Sequence, residues 1–224
     1  MPNWGEHLAV ANKLTEKIKV DKNIFLFANI LPDIQAGYLV KGISNVQPRS
    51  IDHFDLKNGK WGYENFYAKY SNKLDNPVIL GYLTHLITDY CWNSFFYDKK
   101  CKKENNEYVG YINKNGEFIE GTKKFLREIK QNDFKEFQNY IYQKYEMELP
   151  EFSTEIAKNV NILENINLND EDVKKVISYI KETKETAQDK DCQLQIFTLE
   201  ELKEQIDKTV DFILEFLKDK NILN

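Results

Sequence analysis

Residues 76–97 read NPVILGYLTHLITDYCWNSFFY, an apolar run interrupted in its middle by His85 and Asp89. Asn76 is a good helix cap and Pro77 suits the first helical position, so the run predicts a helix that starts there. At about 100° per residue, positions four apart sit about 40° apart and one turn apart. His85 and Asp89 therefore project the same way from an otherwise apolar helix. Two hard-to-bury side chains at that spacing give each other one partner. Alone, the pair reads equally as a His–Asp hydrogen bond inside a core or as part of a metal site.

N-terminal to this helix, Trp4, His7, Ala11, Leu14 and Ile18 repeat at three and four residues and predict a helix over 3–19, with His7 on its core side. A second helix opens at Asp21 and carries Ile24, Phe25, Phe27, Ala28, Ile30 and Leu31. Pro32 should end it and leave Asp33 just beyond. Residues 34–62 lack sustained periodicity and read as a long loop, a feature that in compact domains is usually functional or disordered. Within it, Ile51-Asp52-His53-Phe54-Asp55 has flanking hydrophobes that suggest a partly buried segment. Residues 61–71 predict a short aromatic helix.

C-terminal to the central helix, residues 98–106 read as a charged connection. Residues 108–119, with Asn115-Gly116 between apolar flanks, read as a small hairpin. Helices are expected over 121–130, 133–146, near 153–164 and over 170–188, the last capped by Asn169. Thr198 with Glu201 forms a capping box for a terminal helix through Leu217. The expected fold is all-α: one domain over residues 1–224, a multi-helix bundle with that hairpin as its β excursion. Residues 1–97 would hold the chemistry and residues 98–224 would be scaffold and cleft wall.

Composition narrows the function classes. With 42% hydrophobic and 13% aromatic residues among 224, the chain can build a sizeable core. A net charge of -5 argues against a nucleic-acid partner, and arginine occurs only as Arg49 and Arg127. No apolar stretch reaches the length of about 18 that a spanning helix needs, and residues 1–7 lack the pattern of a signal peptide. A cytoplasmic location is the expectation, with Cys91, Cys101 and Cys192 as free thiols. The cysteine spacing matches no zinc-ligand pattern.

The chain has only three histidines: His7, His53 and His85. Each lies in an apolar neighbourhood, with Glu6, Asp33, Asp52, Asp55 and Asp89 as possible partners. A lone core histidine is usually just a hydrogen-bonded core residue. Three of three in such places, none on an exposed face, point instead to a shared divalent metal. Imidazole suits zinc, iron, nickel and copper, and carboxylates bridge ions or complete the coordination.

The order of the pieces resembles the zinc-dependent phospholipase C family, all-helical enzymes related to the zinc nucleases that cut single strands. Four segments carry the resemblance: Trp4-Gly5-Glu6-His7, Leu31-Pro32-Asp33-Ile34, His53-Phe54, and Gly81-Tyr82-Leu83-Thr84-His85-Leu86-Ile87-Thr88-Asp89. They span residues 4–95 with the Tyr90 and Trp92-Asn93 that follow. The resemblance implies that His7, His53, His85 and Asp89 bind metal, and that Asp33 is a ligand or the base that handles the attacking water. It further implies a phosphoester substrate, small-molecule or lipid, and zinc as the first choice of metal, with iron or manganese next. Asp52 or Asp55 would fix the His53 imidazole. The aromatics Tyr38, Trp61, Tyr63, Phe66, Tyr67 and Trp92 are candidates for an apolar cleft or for core packing.

The chain also departs from the family. Three-zinc members carry two further histidines and a glutamate after the His-xxx-Asp helix, and here no histidine follows His85. Secreted members use the amino group of an N-terminal Trp as a ligand, whereas Trp4 is internal. These departures predict one or two ions, with Asp89 as the bridge. Two other readings compete. Metal phosphohydrolases of the HD superfamily need His followed directly by Asp, and Asp52-His53 has the reverse order. A family member with a degenerate, structural metal site would act as a binding module without turnover.

Overall fold

Asn3 and Glu6 start the first helix, α1 (Trp4–Thr15), where the Glu6 carboxylate accepts the Asn3 N–H at 3.0 Å. The computed structural model describes every residue except Tyr38, Asn165, Asn167 and Asn224, and omits the side chains of Thr154 and Ala157. Helix α1 ends at Thr15, short of the expected 19. Ile18 still reaches the core from the following turn, through its N–H to Leu14 O. Asp21 caps α2 (Lys22–Ala28) by accepting the Ile24 N–H. Pro32 does not leave Asp33 outside a helix as predicted. It sits in the first turn of a four-residue helix, α3 (Leu31–Ile34), where its missing N–H has no helical partner to lose, and Asp33 follows on the same turn.

The long loop contains a single helical turn, α4 (Arg49–Asp52), with His53 as its C-cap. The aromatic helix α5 (Gly62–Tyr70) and the central helix α6 (Pro77–Lys99) follow as the periodicity predicts. The Asn76 side chain accepts the Val78 N–H at 2.9 Å, which confirms the cap.

Beyond α6 the sequence reading needs two corrections. The sheet has three antiparallel strands, β1 (Cys101–Glu104), β2 (Glu107–Ile112) and β3 (Phe118–Glu120), in the order β1-β2-β3. The strand read as a charged connection pairs with β2 across Asn105 and Asn106, both at positive φ. Asn tolerates that backbone better than other non-glycine residues, which makes a tight turn possible without Gly. The helices expected over 121–130 and 133–146 are one, α7 (Lys123–Lys144). Leu126, Ile129, Phe134, Phe137 and Ile141 form one buried stripe through the supposed break. Asp133 does not start a new helix. Its carboxylate accepts the N–H groups of Gln195, Ile196 and Phe197 at 2.8–3.1 Å.

The remaining helices are α8 (Thr154–Val160), α9 (Asp170–Glu185) and α10 (Leu199–Asp219), with Asn169 and the Thr198/Glu201 box as caps. Helix α6 packs on α2, α5, α10 and α1, so it lies at the centre of the bundle with His85 and Asp89 buried. The apolar core runs from Trp4 to Leu217 and draws on both halves of the chain. Among the described residues no helix is long and apolar enough to cross a membrane.

Candidate metal centre

Gly81 lies one turn before His85 on α6, facing α2. A Cβ there would lie 2.6 Å from Ala28 Cβ and 2.7 Å from Phe25 O, so the two helices meet as closely as they do only because position 81 has no side chain. That approach brings the Asn29 carbonyl to 2.7 Å from His85 Nδ1. A carbonyl only accepts, so Nδ1 carries the proton and the lone pair of His85 is on Nε2. Burial, reinforced by the neighbouring His7, lowers the His85 pKa to about 3 and keeps the ring neutral.

His7 arrives from α1 and stacks flat on His85, with centroids 3.8 Å apart and planes 5° apart. His53 arrives from the C-cap of α4, edge-on to His85 at 5.5 Å. Two close contacts hold it there. Its backbone oxygen lies where a Cβ on Gly62 would be, and Phe54 anchors the next position among Phe66, Tyr70 and Tyr82 in a left-handed backbone (φ 55). Such a φ is unusual for a bulky residue and stores strain beside the site. His53 Nδ1 meets Asp52 Oδ1 at 2.6 Å, and the Tyr82 hydroxyl donates to the Asp52 backbone oxygen. Of the two aspartates expected to hold His53, Asp52 does so, while Asp55 is exposed and contributes only its N–H to Arg49 O.

The carboxylates complete the cluster. His53 Nε2 lies 3.2 Å from Asp33 Oδ1 and 3.6 Å from Asp89 Oδ2, and His7 Nε2 lies 3.6 Å from Asp89 Oδ1. The two oxygens of Asp89 thus point to different histidines. Burial alone would push both carboxyls up. Contact with His53, then the electrostatic pull of the His85 and His53 rings, holds Asp33 below the usual range, and contact with His7 and the pull of the surrounding imidazoles hold Asp89 well below it. Burial also pulls His53 down, but its contacts with Asp33 and Asp52 outweigh that and lift it to about 9.

The structure therefore brings His7, Asp33, His53, His85 and Asp89 together from four segments. Glu6, the neighbour of His7, is outside the cluster. It caps α1, and burial raises its pKa to about 8. Both nitrogens of His7, both oxygens of Asp33, Nε2 of His53 and of His85, and Oδ1 of Asp89 are buried without a hydrogen-bond partner among the described residues. Each such group costs about 1–3 kcal/mol if left unsatisfied. The carboxylate oxygens offer lone pairs and each imidazole offers one once it is neutral, so this set fits a cation and no apolar filling. Two groups have ligand atoms within 4.8 Å of one another: His7, His85 and Asp89, and Asp33, His53 and His85.

Two cations missed in the sequence border the cluster. Arg49 Nη2 lies 3.3 Å from Asp89 Oδ2. Lys130, from the half read as scaffold, is 3% exposed under the rings of Phe96, Tyr97 and Phe134 and donates to Asn93 Oδ1 at 3.0 Å. Asn93 continues the His85–Asp89 line by one further turn of α6, and that spacing was the available signal. Burial lowers Lys130 to about 8 against the pull of Asp89.

Of the two readings of the aromatics, core packing is the one that Phe66 and Trp92 follow, both wholly buried. Trp61 and Tyr63 pack on Tyr90, and Tyr67 on Phe216. Tyr38 is outside the described residues.

Among known families, the model for zinc-dependent phospholipase C matches residues 5–191. The match contains all five clustered residues and runs through α9, far past the 4–95 stretch that carries the resemblance. No curated protein and no solved structure matches the chain.

Proposed function

This chain belongs to the zinc-dependent phospholipase C family, and we propose that it is a metal-dependent hydrolase of phosphoesters, with His7, Asp33, His53, His85 and Asp89 as its metal ligands. One observation carries the reading: buried nitrogen and oxygen atoms of three imidazoles and two ionised carboxylates, without a hydrogen-bond partner among the described residues, converge in one place. When bound there, a divalent ion lowers the pKa of a coordinated water toward about 7 and polarises a phosphoryl oxygen.

The chain's own groups have distinct tasks in this scheme. Asn29 O and Asp52 fix the ring orientation of His85 and His53, so each presents Nε2 inward. Asp89 offers one oxygen toward His7 and the other toward His53, the geometry of a bridge. Asp33 is ionised, and both its oxygens lack a hydrogen-bond partner among the described residues. One oxygen can ligate while the other orients a water or takes its proton. The substrate is a phosphodiester or phosphomonoester, small or lipid-borne.

A second reading has one observation in its favour. The chain has no histidine after His85, so a third zinc site built on histidines is missing and the centre would be structural. Metal analysis of protein purified without chelator, with turnover of bis-p-nitrophenyl phosphate and p-nitrophenylphosphorylcholine, separates the two. Bound metal with turnover supports the hydrolase, bound metal without turnover of either ester supports the structural site, and absence of metal refutes both.

A further inference from the structure

We propose that Arg49 is the phosphoryl-binding residue of this site, held on Asp89 until a cation takes that carboxylate. The inference rests on the metal-dependent phosphoesterase reading and adds the group that grips the substrate's anion. The side chain of Arg49 is 43% exposed while that of its partner Asp89 is 7% exposed. The side chain therefore touches the buried centre while keeping part of its surface in solvent.

The backbone keeps it there. Arg49 O accepts the N–H groups of His53 and Asp55 at 3.0 and 3.2 Å, so the arginine and the His53 imidazole move as one turn. Its Nη1 rests against the Met1 sulfur, an uncharged neighbour. The other side-chain cation that feels Asp89, Lys130, is enclosed by three rings and tied to Asn93, with no path to solvent comparable to that of Arg49. Only Arg49 combines contact with the centre, exposure and a planar fork, and that fork suits two oxygens of one phosphoryl group.

The Arg49–Asp89 pair implies a competition. Asp89 Oδ2 also lies 3.6 Å from His53 Nε2, so a cation drawn to those two atoms displaces the guanidinium from its oxygen. Released from Asp89, the guanidinium remains on the His53 turn beside the centre, within reach of a phosphoryl group bound there. Removing the charge at position 49 should then have two effects of opposite sign. Zinc affinity should hold or rise, because Asp89 loses a competitor. Phosphate affinity should fall, because a charge-assisted hydrogen bond is lost. A merely structural Arg49 would lower both.

The test uses the full chain loaded with Zn²⁺, with Arg49→Gln and Arg49→Lys as variants. Thermal melting first checks that they fold, and Arg49→Lys keeps the comparison open if Arg49→Gln does not. Zinc affinity is measured by chelator competition, and binding of inorganic phosphate and of dimethyl phosphate by calorimetry. We expect Arg49→Gln to bind zinc at least as tightly as the parent and both phosphates at least about tenfold more weakly, with Arg49→Lys between, in line with a lost contact to a charged group. Unchanged phosphate binding in zinc-loaded Arg49→Gln overturns the proposal and leaves the metal site standing. Loss of inorganic phosphate affinity alone, with dimethyl phosphate unaffected, assigns Arg49 to the product and overturns its role with substrate. Failure of the parent chain to take up zinc overturns the metal reading and this one with it.

Discussion

Zinc uptake should release about one proton at pH 7.5, and His53 should be its source. Contacts with Asp33 and Asp52 lift this imidazole to about 9 against the effect of burial. At pH 7.5 a group titrating there holds about 0.97 of a proton. Nε2 must give it up to ligate, while Nδ1 keeps its hydrogen for Asp52. His85 adds nothing, because burial holds it neutral down to about 3, and Asp33 and Asp89 are already ionised. Apparent zinc affinity should therefore climb roughly 25-fold between pH 7.0 and 8.5. The sign reverses for the metal-free fold. A histidine whose pKa is raised on folding contributes stability that is complete below about 6.5 and is lost as pH rises through about 9, here on the order of 3 kcal/mol. Metal-free and zinc-loaded protein should thus move apart in stability across that window. Calorimetry in buffers of different ionisation enthalpy counts the protons, and denaturant titration follows the stability. A count near zero at pH 7.5, or a zinc affinity flat with pH, would refute a charged His53. Asp52→Asn serves as the control and should shift the proton release to lower pH.

Glu6→Gln probes the neutral glutamic acid at the start of α1. Burial raises Glu6 from 4.5 to about 8, so the parent fold should lose stability relative to the variant as pH rises from 4.5 to 8, by on the order of 4 kcal/mol in denaturant melts of metal-free protein. Gly81→Ala should cost about 1–3 kcal/mol and weaken zinc binding, since its Cβ would meet the Phe25 carbonyl at 2.7 Å and part His85 from Asn29. An unchanged melting temperature would mean that the α2–α6 contact is looser than described. Asp33→Asn should lower ester turnover more than zinc content if the carboxylate serves mainly as a base, and equal losses would make it chiefly a ligand. His7→Ala should reduce the zinc content measured by atomic absorption without emptying the site, because the Asp33, His53 and His85 group does not use it. Complete loss of metal would show that the two groups do not fill separately.

The sequence disclosed the chemistry of the centre more fully than the structure around it. His85 and Asp89 were readable because a helix fixes their relative direction, and His7 because α1 has a clear apolar stripe. Asp33 and His53 were candidates from their apolar neighbourhoods, but only motif resemblance gave them roles, since neither lies on a periodic element long enough to orient it. Asn29 could not have been found: it acts through a backbone carbonyl, which every residue type has, and only the Gly81 contact brings it to His85. Lys130 carries no signal in its own helix, because its burial depends on Phe96 and Tyr97 from a distant helix. The split of α7 shows the converse error. Asp133 was read as the start of a new helix, but its carboxylate accepts N–H groups of residues 195–197, a tertiary choice that local spacing does not reveal.

The geometry also sets limits on how ions can share the cluster. His85 belongs to both candidate groups, yet its Nδ1 is committed to Asn29, so Nε2 is its one available ligand atom and it can serve only one ion at a time. Asp89 is under no such restriction, because its two oxygens already face His7 and His53 separately. Two ions would therefore have to divide the histidines unequally and meet at Asp89. If His85 goes with Asp33 and His53, the ion at His7 keeps one imidazole and one carboxylate oxygen from this cluster, too few for tight binding on their own. If His85 goes with His7, the other ion keeps His53, Asp33 and Asp89. The second division balances the ligands better, and its His7, His85 and Asp89 lie within 4.8 Å of one another just as Asp33, His53 and His85 do in the first. Asp33 stands in a ligand set in both divisions and is left available to handle a proton only when a single ion sits with His7, His85 and Asp89, so metal stoichiometry and the role of Asp33 are one question.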